Sequence, residues 1–332
     1  MTLRCRSSTK GSYTGQKTVS TTVASSAVRW DVVGVGANAV DLVSVVAEYP
    51  TPGGPSSKIR VSRQFLSCGG QTANAVATCA RFGLRAAYIG AVGSDPHGSL
   101  LRDALAERSV DTTHLVRKDA RNQFAIIILD QTSGERVIVW DRDERLRLEP
   151  HEVPADVIRS ARLLHVDNVD EAAAIRAARI AREAGVTVTS DIDCLGDRTD
   201  ELIGVIDVPI FDEHLPLRLT GETDPERALR ALRQRHAGLL CATLGPRGAI
   251  ALEGERIHCS PGFKIDTVDT TGAGDVFRGG FIYATLQGWP VDQVLDFANA
   301  AAAISCTRLG AMNGIPSIDD VRSLRDTGER SR

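Results

Sequence analysis

Short apolar runs alternate with longer segments of mixed polarity along most of the chain after residue 30. The short runs predict buried strands, and the longer segments, whose apolar residues recur every three or four positions, predict helices. The strands predicted in the second half are 162–167, 186–191, 205–211, 239–244 and 249–252, and the helices are 171–184, 225–236, 276–287, 291–307 and 318–325. This alternation is typical of an α/β fold, with a mainly parallel sheet covered by helices on both faces.

The first half contains a similar strand at 86–92 and a helix at about 99–108, but two other segments interrupt the alternation. Residues 124–129 and 136–140 are apolar runs joined by a Thr-Ser-Gly-Glu turn, which predicts a β-hairpin. Residues 59–65 form a strand-like run after a stretch rich in Pro and Gly. We expect the hairpin and this run to pair as a small separate sheet.

Residues 1–29 differ in composition from the rest of the chain. They are rich in Ser, Thr, Lys and Arg, contain no Asp or Glu, and lack the apolar core of a signal peptide. We interpret them as a disordered N-terminal extension, for which an upstream start codon is one origin and a transit peptide is the alternative. The folded domain is expected over 30–325.

Composition and charge exclude several classes of protein. A net charge of -3 gives no reason to expect nucleic acid or an acidic membrane surface as a partner. No apolar run approaches the roughly 18 residues of a membrane span. The seven cysteines are scattered without a Cys-x-x-Cys pair, which argues against a zinc or redox site and fits a reducing cytoplasm.

The stretch 269–281 carries the strongest sign of chemistry. Gly272, Ala273, Gly274 and Asp275 stand directly before an apolar run with helical spacing. The first N–H groups of a helix have no internal partners and attract anions such as phosphate. Asp275 could then accept the proton of a hydroxyl group that attacks the phosphate. A turn with an ordinary helix cap is the alternative, but two consecutive glycines at 279–280 indicate close packing against this helix.

Two other glycine-containing turns follow predicted strands. The sequence Gly34-Val35-Gly36 lacks the third glycine of a dinucleotide-binding fingerprint, which argues against a dehydrogenase. Asn38 and Asp41 come after this strand, where open α/β sheets bind ligands, although either side chain could simply form a turn. Gly69-Gly70-Gln71-Thr72-Ala73-Asn74 is a second turn, and it leads into an alanine-rich helix.

In combination, these motifs resemble the ribokinase-like, or PfkB, family of carbohydrate kinases over roughly residues 30–322. The motifs that carry the resemblance are, in chain order, Gly36–Asp41, Gly69–Asn74, Phe82–Gly98, Thr243–Ala249, Asp269–Phe281, Phe297–Ala302 and the segment from Gly310 to Pro316. The resemblance implies one three-layer α/β/α domain with a mainly parallel central sheet. It also implies a small β-sheet lid, formed by segments at about 44–68 and 121–143.

The resemblance further implies ATP-dependent phosphorylation of a hydroxymethyl group on a sugar, with a role for each matching residue. Asp275 is the expected base, and the N–H groups of Gly272, Ala273 and Gly274 are expected to hold the charge on the transferred phosphoryl group. The expected sugar contacts are Asn38, Asp41, Gly69, Gly70, Gln71 and Asn74. The expected nucleotide contacts are Thr243, Gly245, Arg247, Gly248 and Asn299, although Asn299 could instead be a buried residue satisfied by backbone.

ATP and Mg²⁺ are the cofactors that the resemblance implies, with a monovalent cation as a further candidate. The family often carries an Asn-x-x-Glu motif that organises water around Mg²⁺, but here its ends read Asp212 and Leu215. Leu215 cannot supply an oxygen ligand, which leaves Asp212 and Glu213 as candidates that act through water. Ketohexokinase-like members also depart from this motif, so that branch is a candidate and the departure does not indicate an inactive enzyme.

The substrate is less defined than the reaction. True ribokinases tend to have lysine where this chain has Gln71, which argues against ribose. Trp140 and Arg142, at the end of the lid hairpin, could bring an aromatic ring and a charge onto the sugar, or could be lid core and solvated turn. Arg142 would suit an acidic substrate group. A hexose or ketohexose is favoured, whereas a sugar acid stays open.

Three alternatives to a hexose kinase are compatible with the motifs. A kinase for a nucleoside or a 2-keto-3-deoxy sugar acid would keep the reaction and change the substrate. A non-catalytic sugar or nucleotide sensor would keep the fold, but such a sensor has no need of Asp275 as a base. The lid sheet also offers an exposed face or edge, which makes a homodimer through the lid an expectation.

Overall fold

The computed structural model describes residues 28–54, 57–133 and 135–331. The predicted N-terminal extension therefore lies outside the described residues, apart from its last two positions. Within the described part of the chain, no helix is long and apolar enough to cross a membrane.

The described chain alternates strands and helices in the predicted manner. The strands are β1 (Trp30–Val35), β2 (Ala39–Val46), β3 (Val61–Gly69), β4 (Ala86–Ile89), β5 (Ala91–Gly93), β6 (Val110–Asp111), β7 (Val116–Lys118), β8 (Phe124–Asp130), β9 (Arg136–Asp141), β10 (Ala161–Asp167), β11 (Thr187–Asp191), β12 (Ile210–Phe211), β13 (Leu240–Thr243), β14 (Ala249–Glu253) and β15 (Arg256–Ser260). The helices are α1 (Gln71–Arg81), α2 (Pro96–Glu107), α3 (Ala155–Arg159), α4 (Glu171–Glu183), α5 (Thr199–Ile203), α6 (His214–Thr220), α7 (Pro225–Arg233), α8 (Ala273–Leu286), α9 (Val291–Ser305), α10 (Ala311–Gly314) and α11 (Ile318–Thr327).

The central sheet is mainly parallel, as the alternation of elements predicted. Strands β11, β10, β1, β4 and β6 lie side by side in that order, and all of their pairings are parallel. Two isolated parallel bridges, Thr189–Val208 and Ile192–Phe211, join β11 to the segment that ends in β12. Strand β13 pairs in parallel with β12, and β14 and β15 add an antiparallel hairpin at the edge.

Helices cover both faces of this sheet and create two separate hydrophobic cores. Successive residues of β1 point to opposite faces, so that Val32 packs in one core and Val33 in the other. The core that contains Val33 includes the alanine-rich face of α4, and the core that contains Val32 includes α1, α8 and α9. Strands buried on both faces explain the continuous apolar runs in the sequence. The α/β/α fold class is thereby confirmed.

Four strands form the small separate sheet, in the order β3-β2-β8-β9. The predicted hairpin is β8 and β9, and the predicted run 59–65 is the first part of β3. The sheet packs one apolar face inward, with Val43, Val45 and Ile127 among its buried residues. We refer to these four strands as the lid. Strand β2 already begins at Ala39, so Asp41 lies within the lid sheet rather than before it.

Two predicted strands were wrong in extent, and the reasons are local. The run 86–92 is two strands that separate at Gly90, where a Cβ would lie 2.3 Å from the Tyr88 hydroxyl oxygen. The run 205–211 is a strand only at Ile210–Phe211. Pro209 has no N–H to donate to a neighbouring strand. At Asp207 it is the side-chain carboxylate that accepts the N–H of Val188 in β11. Hydrophobic pattern alone does not reveal either interruption.

Candidate active site

The glycine turn before α8 has the geometry of an anion site. Gly272 caps the helix in the left-handed conformation, with φ of 77°, and no side chain caps the first turn. The N–H of Ala273 donates to the Thr270 carbonyl at 3.3 Å. Within the described residues, the N–H groups of Gly272 and Gly274 have no hydrogen-bond partner in the protein. Two donors and the positive end of a long helix are therefore available to an anion.

The glycine pair inside α8 confirms the close packing predicted for this helix. A Cβ on Gly279 would lie 2.4 Å from the Thr78 Cβ of α1, and a Cβ on Gly280 would lie 3.1 Å from the Ala298 Cα of α9. Helix α8 is thus held between α1 and α9 at backbone distance. This packing fixes the position of the turn at its N-terminus relative to α1.

Asp275, in the first turn of α8, is tied to α1 by a short hydrogen bond. Its carboxylate accepts from the Asn74 side-chain amide at 2.6 Å. Burial raises the pKa of Asp275 to about 6, against the opposing effects of the Asn74 hydrogen bond and the Arg278 charge. A carboxylate with this pKa is ionised at neutral pH and is basic enough to accept a proton.

Asp41 is a second perturbed carboxylate beside Asp275. It is buried in the lid strand β2, and burial together with the charges of Asp275 and Asp269 raises the pKa of Asp41 to about 7. A Cβ on Gly69 would lie 2.8 Å from an Asp41 carboxylate oxygen and 3.8 Å from the Asn74 amide nitrogen. The structure therefore brings together Asp41, Gly69, Asn74 and Asp275, which come from the lid, α1 and α8.

Asn38 lies close to these residues, but its side chain is held by the protein. Its amide donates to the Ala91 carbonyl at 2.8 Å and to the Tyr88 hydroxyl at 3.1 Å, and its carbonyl accepts from Asn122 at 3.2 Å. A Cβ on Gly70 would lie 2.3 Å from the Asn38 Cα, so the start of α1 packs directly on this turn. Asn38 holds the turn between β1 and β2 in place. Its contact with sugar stays a prediction.

Asp167 is a structural support that the sequence interpretation missed. It stands at the end of β10, where its carboxylate accepts from the Ala37 N–H at 2.6 Å and the Thr72 hydroxyl at 2.7 Å. Burial raises its pKa to about 6, and these hydrogen bonds oppose the shift. Asp167 thus joins the turn after β1 to the start of α1. An Asp at the end of an apolar strand is the signal that could have indicated it.

Of the two sugar contacts predicted at the end of the lid hairpin, Trp140 shares a face of the lid with Asp41. Asp41, Ala125 and Trp140 are cross-strand neighbours in β2, β8 and β9, so they share one face of the lid. Trp140 is 65% exposed and is available to a ligand beside Asp41. Arg142, by contrast, forms a largely buried ion pair with Asp170 at 2.6 Å. Gln71 begins α1 and is partly buried.

Arg136 is a further lid residue that the sequence interpretation did not single out. Its cross-strand partner is Leu129, which packs in the inward-facing core of the lid. The Arg136 guanidinium donates to the Thr270 hydroxyl. The lid therefore contacts the loop that leads into the glycine turn. Charge alone could not have indicated this contact, because it depends on how the lid folds over the central domain.

A cavity of about 320 Å³ adjoins the glycine turn. Its lining includes four of the predicted nucleotide contacts, namely Thr243, Gly245, Gly248 and Asn299, together with Ala273 and Gly274. Apolar groups such as Phe263 and Phe277 form part of its walls. Asn299 lines the cavity and also donates to the Ser260 carbonyl at 2.9 Å. Arg247 does not line it and instead pairs with Glu213.

The two carboxylates considered for a metal already have partners in the protein. The carboxylate of Asp212 accepts a hydrogen bond from the N–H of Leu215, in the first turn of α6, at 2.8 Å. Glu213 pairs with Arg247. Both follow β12, whose last residue, Phe211, accepts a hydrogen bond from Thr243 in the cavity wall. Across the described residues, no group of three or more His, Cys, Asp or Glu side chains could hold a metal ion.

The sequence of the chain is similar to those of known sugar kinases. The chain is 30% identical to a ribokinase of Haemophilus influenzae over 271 residues, which cover 79% of this chain and 89% of the relative. It is 33% identical to an ATP-dependent ribose-1-phosphate kinase of Halopiger xanaduensis over 288 residues, which cover 86% of this chain and 94% of the relative.

The fold matches solved structures over nearly its whole described length. An Arabidopsis thaliana ribokinase, solved in complex with ribose and ATP, aligns with a TM-score of 0.75 and 25% identity. The alignment covers 90% of this chain and 99% of that one. The family model for pfkB family carbohydrate kinases matches residues 31–318. The chain therefore belongs to the PfkB family of carbohydrate kinases.

Proposed function

We propose that this kinase transfers the γ-phosphoryl group of ATP to a hydroxymethyl group of a neutral sugar, with a hexose or ketohexose as the favoured substrate. The observation that carries the proposal is the position of Asp275. Its carboxylate is partly buried, close enough to Asp41 of the lid for the two charges to interact, and the Asn74 amide donates to it at 2.6 Å. The base therefore stands beside the anion site on one side and Asp41 of the lid on the other.

In this mechanism, each group in the turn has one task. Asp275 accepts the proton of the attacking hydroxyl, whose oxygen forms a bond to the γ-phosphorus while the bond from that phosphorus to the bridging oxygen of ADP breaks. The free N–H groups of Gly272 and Gly274 hold the charge that moves through the transferred group. Removal of one such donor typically costs about 10²–10³ in rate. Positioning and charge are what phosphoryl transfer chiefly needs.

We assign the cavity beside the turn to ATP. The adenine ring would lie against the apolar walls that include Phe263, and the phosphates would extend toward Gly274. The Arabidopsis ribokinase that shares this fold was solved with ATP.

Mg²⁺ would neutralise phosphate charge and take most of its ligands from the phosphates and water. Asp212 and Glu213, which follow β12 near the cavity, are the residues that would hold it through water. A monovalent cation stays a prediction.

The charges in the cleft favour a neutral sugar over a sugar acid. The charges of Asp275 and Asp269 add to the effect of burial in raising the pKa of Asp41, so negative charge is concentrated around the cleft. The guanidinium of Arg142, which could have received an acidic group, is paired with Asp170. Hydroxyl groups can donate to these carboxylates, whereas a substrate carboxylate would be repelled by them.

We therefore expect a neutral hexose or ketohexose to exceed a 2-keto-3-deoxy sugar acid by about tenfold or more in kcat/KM, which corresponds to ~1.4 kcal/mol. The measurement is ADP release with Mg-ATP and a panel of hexoses, ketohexoses, pentoses, sugar acids and nucleosides. The Arg142→Ala variant on the same panel serves as a control, because a sugar-acid kinase that uses Arg142 would lose its acid substrate selectively.

Other outcomes of the panel correspond to the other candidates. Preferential turnover of a sugar acid or a nucleoside would overturn the assignment to neutral sugars and retain the kinase. Measurable sugar binding without ADP release from any panel member would instead indicate a sensor on this fold. The known relatives do not decide between these results, since those compared act on different sugars, ribose and ribose-1-phosphate by name.

We also propose that two copies of the chain associate through the outer face of the lid. Leu66, Leu42, Ile126 and Val139 are consecutive cross-strand neighbours and form an apolar row on the face opposite Asp41. Val139 is 58% exposed, and the whole of edge strand β9 is exposed. Large exposed apolar patches and unpaired strand edges are typical of protein interfaces.

We expect light scattering to give the mass of a dimer for the wild type and of a monomer for Val139→Lys, because a charge in the centre of this row opposes its burial. Val28→Lys is the matched control, since Val28 is 51% exposed but lies outside the lid. A monomeric wild type, or a Val139→Lys protein that stays dimeric, would contradict an interface on this face.

A further inference from the structure

A buried ion pair lies directly beneath the anion-binding turn. Arg278 of α8 is 3% exposed, and its Nη2 atom lies 2.6 Å from a carboxylate oxygen of Asp191, which is 2% exposed. A guanidinium remains charged at any pH that a protein tolerates. Two charges removed from water are costly, and such a pair is weak evidence for stability in itself. Its position therefore calls for a functional explanation.

Arg278 connects the turn to two strands of the central sheet. It lies three residues after Asp275, which places the two residues on the same side of α8, one turn apart. Its Nη1 atom is 2.8 Å from the position that a Cβ on Gly274 would occupy. Its Nη2 atom also donates to the Ile210 carbonyl of β12 at 3.3 Å. The guanidinium thus supports the glycine turn from below and holds it against the ends of β11 and β12.

The groups that surround Asp275 are mostly acidic. Asp41 faces it from the lid, and Asp167 and Asp193 approach from the ends of β10 and β11. The Asn74 amide of α1 donates to it, and Arg278 contributes a positive charge from α8 itself. Asp191 partly offsets that positive charge through the ion pair. Arg278 therefore opposes the rise in the pKa of Asp275 that burial and the acidic neighbours cause.

We propose that Arg278 is a positioning residue for phosphoryl transfer, and that its pairing with Asp191 sets the charge under which Asp275 acts as a base. Arg278 does not touch the substrate. Its positive charge favours the ionised form of Asp275 among acidic neighbours. Its guanidinium also fixes the position of Gly274, so that the Gly274 N–H can donate to the phosphoryl group. This inference rests on the proposed function, because it assumes that Asp275 takes the proton of the sugar hydroxyl.

The test is the dependence of kcat/KM on pH for the best neutral sugar of the panel. The acidic limb of this profile reports the base of the free enzyme, and here it belongs to the interacting carboxylates Asp41 and Asp275. In Asp191→Asn the charge of Arg278 is no longer offset, so the limb is expected to move to lower pH. In Arg278→Met the cation is lost, so the limb is expected to move to higher pH. Each shift should be about half a pH unit or more.

Arg278→Lys is the conservative control. It retains a positive charge, so its acidic limb is expected close to that of the wild type even if kcat falls because the planar contacts are lost. ATP affinity and melting temperature, measured for all three variants, separate this effect from simple unfolding. Asn has nearly the same size and shape as Asp. The Asp191→Asn variant can therefore still test the predicted shift of the acidic limb if Arg278→Met does not fold.

A purely structural pair would lower the melting temperature and kcat while every acidic limb stays at the wild-type pH, and that result would overturn the proposal. Shifts in the same direction for Asp191→Asn and Arg278→Met would also overturn it. These outcomes differ from failure of the proposed function, in which the wild type itself would phosphorylate no sugar.

Discussion

Asp275→Asn is expected to lose about 10²-fold or more in turnover while it still binds ATP. The substitution replaces an oxygen by an amide nitrogen of nearly the same size, so packing against α1 can be retained. An amide cannot accept the proton of the sugar hydroxyl, and it also disturbs the hydrogen bond that Asn74 donates at 2.6 Å. The lining of the cavity that we assign to ATP does not include residue 275.

The measurement pairs steady-state turnover with a titration of ATP binding on the same preparations. Asp319→Asn is the matched control, because Asp319 also stands in the first turn of a helix but is exposed to solvent on α11. We expect wild-type turnover from this control. Turnover of Asp275→Asn within a few-fold of the wild type, with ATP binding intact, would remove Asp275 from the role of base.

Gly272→Ala is expected to reduce turnover by about 10²-fold, comparable to the loss of a charge-stabilising donor. Gly272 has a φ of 77°, which an alanine adopts only with strain. Its new Cβ would also lie 2.7 Å from the Ala311 Cβ and 3.3 Å from the Asn74 amide nitrogen. The turn must therefore shift, and its N–H groups and the orientation of Asn74 would shift with it.

Gly288→Ala separates these two effects. Gly288, just beyond the other end of α8, has a nearly identical φ of 75°, but a Cβ there would meet nothing within 4 Å. Both variants carry the same backbone strain, of roughly 1–2 kcal/mol, which a melting curve would detect. We expect only Gly272→Ala to lose turnover. An equal loss in both variants would attribute the effect to stability rather than to the geometry of the turn.

Much of the fold could be predicted because parallel strands buried on both faces leave continuous apolar runs. The runs at 162–167 and 186–191 correspond closely to β10 and β11. Short strands were harder to predict. Strand β12 comprises only two residues and follows Pro209, and its place in the sheet depends on bridges to distant residues of the β11 region. Hydrophobic periodicity carries no information about such pairings.

Candidate site residues could be proposed from the sequence where a local motif combines glycines with a charged residue. The turn at 272–274 and the aspartate after it were predicted as a site because glycines and a carboxylate before an apolar helix suggest an anion site with a base beside it. Arg278, Asp191 and Asp167 were missed, since a buried charge inside a helix or at a strand end looks in the sequence like any other charged residue. Arg142 is the opposite case, a charged residue that was assigned to the site from the sequence but has a structural partner. Its charge suggested a substrate contact, but tertiary structure gives it Asp170 as a partner.

The measurement that tests the central claim most directly is phosphorus NMR of a reaction with Mg-ATP and the sugar most active on the panel. The account predicts one ADP and one new sugar phosphate monoester per turnover, formed by the wild type and almost absent with Asp275→Asn. ADP formation that yields inorganic phosphate at the same rate with and without sugar would contradict it, as would sugar binding without any phosphate ester.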